Sequence, residues 1–111
     1  MKRKEGMSRE AFWAYYETKH VPLWLEYTAG IVRYVRRYIQ GRDHPETGSG
    51  ENLEYDVITE LWFEDEKLYH QTLAYLSTNT MPEQVTEDEK NLFDRTSFRI
   101  ATCDEVATEF P

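Results

Sequence analysis

The chain has 111 residues, a formal net charge of −8 and a pI near 4.8. That length holds one domain with a modest core, and the acidic balance speaks against nucleic acid and against an anionic membrane surface as partners. The single cysteine, Cys103, leaves no intrachain disulfide and points to a reducing, cytoplasmic setting, and no apolar run is long enough for a spanning helix. The basic start is not followed by an apolar stretch, so no signal peptide is expected.

Ser8 is a good N-cap, with Glu10 in the first turn to suit the helix dipole. Ala11, Phe12, Tyr15 and Tyr16 recur at helical spacing, which predicts a helix to about Lys19. Pro22 removes an N–H and disfavours helical geometry at Val21, so a break is expected at His20–Pro22. A short turn should follow through Leu23, Trp24 and Tyr27, ended by Gly30. Ile31 to Gln40 reads as a strand, with Val32, Tyr34, Arg36 and Tyr38 on one face and Arg33, Val35 and Arg37 on the other. Neither face is purely apolar, which suggests a polar cavity on one side and an interface or solvent on the other.

Gly41 to Asn52 carries turn chemistry and is expected to be a long loop, of the kind that lines sites. Tyr55 to Phe63 reads as a second strand. Asp65 caps a helix from Glu66 to about Leu76 with an inner stripe of Leu68, Tyr69, Thr72, Leu73 and Leu76. Ser77 to Pro82 breaks it, a shorter helix runs from Glu83 to Phe93, and Thr96 to Cys103 is expected to be a last strand before a loosely held acidic tail. One strand added ahead of the first helix would turn this order into β-α-β-β-α-β, the ferredoxin-like plait. Met1 to Lys4 is too short and basic for a central strand, so that strand is expected to be short or completed by residues upstream.

Among the chemistry-bearing residues His20 leads. Its imidazole titrates near neutrality and can take and return a proton in one cycle. His44, behind Asp43 in the long loop, is a candidate second acid or base, whereas His70 should face outward. No HxxxH or CxxC spacing occurs, so no metal is expected, and no Gly-rich loop follows a strand to hold a nucleotide or flavin. Tyr15, Tyr16, Trp24, Tyr34, Tyr38, Trp62, Tyr69 and Phe93 are candidates to line a flat aromatic pocket, and a phenol can polarise a substrate carbonyl or hydroxyl. Asp56 and Glu60 share a strand face and should meet Arg36 and Arg37. Asp88-Glu89 and Asp94-Arg95 read as helix-end electrostatics.

The stretches Lys2-Arg3-Lys4-Glu5-Gly6-Met7-Ser8, Tyr16 to Leu23, Arg36 to Ile39, Tyr55 to Phe63, and Asp88-Glu89 through Phe93-Asp94-Arg95 resemble, in that order, the EthD-domain family of dimeric α+β barrel proteins. The resemblance covers nearly the whole chain and is nearest to fungal members from polyketide pathways. It implies a ferredoxin-like plait whose sheets pair back to back in a homodimer, with a cavity between sheet and helices. His20 matches the family's His-x-Pro histidine. One departure is that members usually carry an apolar first strand before the Lys-Arg-Lys stretch.

The expectation is therefore a single α+β domain acting without metal or organic cofactor on a small aromatic, polyketide-like substrate, by decarboxylation, dehydration or cyclisation. His20 would move the proton with help from Tyr16 and Tyr38. Tyr15, Trp24, Tyr34, His44, Trp62, Tyr69 and Phe93 would bind substrate. Two alternatives are a cofactor-free oxygenase that turns an anthrone into a quinone, and a non-catalytic carrier of a reactive intermediate.

Overall fold

The computed structural model describes residues 1–51 and 53–111, so Asn52, the last residue of the expected loop, lies outside the described residues. The elements are strand β1 (Lys2–Arg3), helix α1 (Arg9–Tyr15), a π turn (Tyr16–His20), helix α2 (Val21–Leu25), strands β2 (Ile31–Tyr38) and β3 (Val57–Phe63), helices α3 (Glu66–Thr78) and α4 (Glu83–Leu92), strand β4 (Phe93–Asp94) and a 3-10 turn (Arg95–Ser97). This is an α+β chain with antiparallel sheets.

β2 and β3 pair antiparallel, with Tyr34 opposite Leu61, Arg36 opposite Thr59 and Tyr38 opposite Val57. β1 pairs antiparallel with β4, Arg3 lying opposite Phe93. Backbone bonds at Met1 join the two sheets. Its N–H donates to Val57 O at 3.2 Å, and its carbonyl accepts from Asp56 N at 2.9 Å and Val57 N at 3.2 Å. The strand expected to be short or missing is thus present as a two-residue piece lodged between β4 and the start of β3.

Alternation gives the β2–β3 sheet two unlike faces. Tyr34, Arg36, Tyr38, Val57, Thr59 and Leu61 point toward the helices. Arg33, Val35, Arg37, Ile58, Glu60 and Trp62 point away, where Ile58 and Trp62 remain exposed. The core is Phe12, Tyr16, Val57, Leu92 and Phe93, gathered where α1, the π turn, β3, α4 and β4 meet. Phe12 touches Tyr16, Tyr38 and Phe93 edge to face at 5.7 to 6.1 Å, the geometry ring quadrupoles favour. Gly30 turns the chain from the helices into β2 at φ +74°, and a Cβ there would lie 2.4 Å from Leu68, so α3 packs directly on that turn.

Two expectations are corrected. The chain does not break at His20–Pro22. It stays helical, because the Val21 N–H reaches back to Tyr16 O and the helix widens for one turn, with Pro22 taken into the first turn of α2. The strand expected over Thr96–Cys103 does not form. Asp94 accepts from the Thr96 N–H at 3.0 Å and its hydroxyl at 2.6 Å, and Ser97 donates to the Asp94 carbonyl at 2.5 Å, so local bonds curl the backbone away from a ladder. From Phe98 onward there is no regular structure among the described residues.

Candidate functional site

The π turn decides which side chains meet. Phe12, Tyr16 and His20 are four residues apart, and an unbroken α-helix would rotate each about 40° past the last. The wider turn between Tyr16 and His20 opposes that drift. All three end up buried on one side, with His20 only 5% exposed.

The imidazole lies edge-on to Tyr16 at 5.2 Å and to Phe93 at 5.5 Å. Its Nδ1 meets Asp88 Oδ2 at 2.8 Å, while the Tyr15 hydroxyl donates to Asp88 Oδ1 at 2.6 Å. Asn91, on the same face of α4, donates to the Tyr15 oxygen at 3.4 Å. A carboxylate at Nδ1 places the proton there and leaves the Nε2 lone pair free. Among the described residues no hydrogen bond reaches Nε2. Burial pulls the His20 pKa below its ordinary 6.5 and Asp88 pulls against it, so the neutral ring is favoured at pH 7. That arrangement is a base oriented by a carboxylate.

A second network lies on the same side of the sheet. Arg36 grips Glu17 with Nε at 2.9 Å and Nη2 at 2.5 Å, and the Tyr38 hydroxyl donates to the same carboxylate. The Arg36 hydrogen bonds hold the Glu17 carboxyl below the usual range. The Arg36 guanidinium also lies over the Tyr34 ring at 4.6 Å. The Tyr16 hydroxyl meets Thr59 Oγ1 at 2.7 Å. Burial is the main cause that raises the phenols of Tyr15, Tyr16, Tyr34 and Tyr38, so they stay protonated at neutral pH.

Of the residues singled out from sequence, the fold gathers Tyr15, Tyr16, His20 and Phe93 around one imidazole. Tyr34 and Tyr38 follow on the same sheet face, with Trp24 beside Tyr34 at 5.1 Å and Trp13 stacked on Tyr38 at 4.4 Å. Tyr69 packs on Phe63 from α3, at 5.9 Å. Trp62 is on the opposite face, under Arg33 at 5.4 Å, because it alternates with the helix-facing Leu61 and Phe63. His44 is exposed at its loop, where its backbone N–H and C=O pair with Gly48 and its Nδ1 accepts from the Glu46 N–H at 3.1 Å. A hollow of about 430 Å³ lies there, lined by Asp43, His44, Pro45, Gly48, Ser49 and Glu51 and open to water.

The arginine pairing divides. Arg37 meets Glu60 at 2.8 Å on the outer face, but Arg36 points inward to Glu17, and Asp56, just ahead of β3, takes Arg3 at 3.4 Å. Asp88 and Glu89 were expected only as helix-end electrostatics; Asp88 is instead bonded to His20 and Glu89 is buried, and Glu17 has no role in the sequence-based expectation. The signal for the first two was present, since both fall between buried Val85 and Leu92 at helical spacing. Among the described residues no three His, Cys, Asp or Glu side chains gather as a metal cluster, and no helix is long and apolar enough to cross a membrane.

A family model described as EthD domain matches residues 4–96 of the 111. No curated protein and no solved structure matches the chain.

Proposed function

The chain belongs to the EthD-domain family, and from that premise we propose that it is a cofactor-independent enzyme of the lyase or isomerase type, acting on an aromatic, polyketide-like substrate. The observation that carries this reading is His20, which is buried on a π turn with Nδ1 tied to Asp88 and Nε2 free. π turns recur at functional sites, and a buried neutral imidazole with one free nitrogen is suited to remove a proton next to a carbonyl.

In this reading Nε2 takes the proton and Asp88 stabilises the imidazolium that forms, held in turn by Tyr15. Tyr16, whose raised pKa keeps its proton in place and whose oxygen can accept from Thr59, acts as hydrogen-bond donor to the developing oxyanion, while the Tyr38 proton stays with Glu17 and holds that carboxylate in position. Trp24, Tyr34 and Phe93 supply flat apolar surface for an aromatic ring.

The family plait and its homodimer belong to the same proposal. Two features support them. The Met1 bonds tie the β1–β4 pair to the start of β3, the adjacency that a ferredoxin-like sheet would need. The outer sheet face leaves Ile58 50% and Trp62 40% exposed, apolar surface that a second copy would cover.

The test is mass spectrometry of products from hydroxyaryl and anthrone carboxylic acids in metal-free buffer, with and without oxygen. Loss of carbon dioxide or water, unaffected by oxygen and abolished in His20→Ala, is expected. Oxygen-dependent gain of oxygen in the product would replace the lyase reading with the oxygenase.

A further inference from the structure

In a chain of net charge −8, the first nine residues run the other way: Lys2, Arg3, Lys4 and Arg9 are cationic and only Glu5 is acidic. β1 and the start of α1 bring two of these cations to one place. A small hollow of about 20 Å³ is lined there by Arg3, Arg9, Phe12, Trp13, Tyr38 and Asp56.

The two guanidinium groups are not equally engaged. Asp56 accepts from the Arg3 backbone N–H on Oδ2 at 2.9 Å, and its Oδ1 stands 3.4 Å from Arg3 Nη1. Among the described residues that Nη1 is nonetheless buried without a hydrogen bond. A buried donor left in that state calls for a water or an ion. Arg9 gives Nη2 to the Ile39 carbonyl, and among the described residues no carboxylate pairs with it. The Asp56 charge therefore offsets Arg3, and the Arg9 charge is left over. The rest of the wall is aromatic. Trp13 stacks on Tyr38 at 4.4 Å and 11°, yet stays 56% exposed, which leaves surface on which a further ring can lie.

We infer that this hollow is a binding site for a planar aryl carboxylate. A volume of about 20 Å³ admits a water-sized group, so the carboxylate end enters and the ring stays outside against Trp13. Arg9 supplies the charge, Arg3 the spare donor. A guanidinium matches a carboxylate in its own plane, and an indole offers a flat surface to an aromatic ring. One carboxylate also suits the single uncompensated charge, whereas a phosphate dianion would bring a second negative charge beside Asp56. The inference does not rest on reading His20 as a base, since His20 is not among the residues that line the hollow.

The experiment follows the Trp13 indole N–H and the Arg9 Nε–H by NMR while benzoate, benzamide or acetate is added to the full chain. Benzoate should shift both signals saturably. Benzamide, which keeps the ring and lacks the charge, should shift neither, and acetate, which keeps the charge and lacks the ring, should bind more weakly. Arg9→Gln, with a thermal melt to confirm folding, should raise the benzoate Kd about tenfold. Equal binding of benzamide or of acetate would overturn the aryl carboxylate as ligand. Unchanged benzoate binding in folded Arg9→Gln, or no saturable shift in wild type, would reduce the hollow to a water site and overturn the proposal. The readout is binding and not turnover, so each of these results leaves the His20 reading where it stands.

Discussion

His20 and His44 each lie near a carboxylate, yet the fold treats them in opposite ways. His44 follows Asp43 in sequence, is exposed, and bonds to its own loop at Glu46 and Gly48. The partner of His20 lies 68 residues away, on another helix. One imidazole is surrounded by Tyr16 and Phe93, the other borders an open hollow that no Phe, Tyr or Trp lines among the described residues. A hollow of about 430 Å³ is therefore a poor guide to chemistry here. What sets a base apart is exclusion of water together with a partner that fixes its tautomer.

Breaking the buried side of this comparison should cost most. His20→Ala should lower kcat by about 10²- to 10⁴-fold in steady-state assays. Asp88→Asn keeps the shape but removes the oriented acceptor at Nδ1. Turnover should fall by about 10²-fold, and the acid limb should move to lower pH, since Asp88 is what favours the protonated ring. Imidazole nitrogen shifts followed by NMR across the titration check the direction.

Glu89 sharpens the contrast through stability. Its pKa is raised from 4.5 to about 7, so the folded chain binds the extra proton between those values. Stability from this group is full below about pH 4.5 and is lost as pH rises through about 7. Glu89→Leu should remove that loss and raise unfolding free energy at pH 8 by up to about 3 kcal/mol, read by urea titration at pH 5 and pH 8. Tyr16→Phe removes the bond to Thr59 and should cost about 1 kcal/mol. His44→Ala should change stability by no more than about 0.5 kcal/mol and leave turnover unaltered.

The β2–β3 hairpin, the caps at Ser8 and Asp65, and the helices over Glu66–Thr78 and Glu83–Leu92 were legible because alternation, capping chemistry and helical period act over a few residues. His20 was legible as a candidate through its position before Pro22. Its partner was not, because a bond across 68 residues leaves no local pattern. The widened turn was hidden for a different reason. Proline predicts a missing hydrogen bond, but whether the helix stops or widens depends on what packs against it, and here Tyr16 and His20 are both held in the core. The expected strand over Thr96–Cys103 failed because the side chains of Asp94 and Ser97 bind the backbone first. Trp62 was counted with the pocket although its strand parity sends it to the outer face.

The central claim is that a buried imidazole oriented by Asp88 moves the proton without a cofactor. The most direct test compares wild type with His20→Ala on hydroxyaryl and β-hydroxy carbonyl substrates in oxygen-free, metal-free buffer, with products weighed by mass spectrometry and folding confirmed by circular dichroism. The account predicts loss of carbon dioxide or water in wild type and none in a folded His20→Ala. Equal turnover by the two proteins would contradict it.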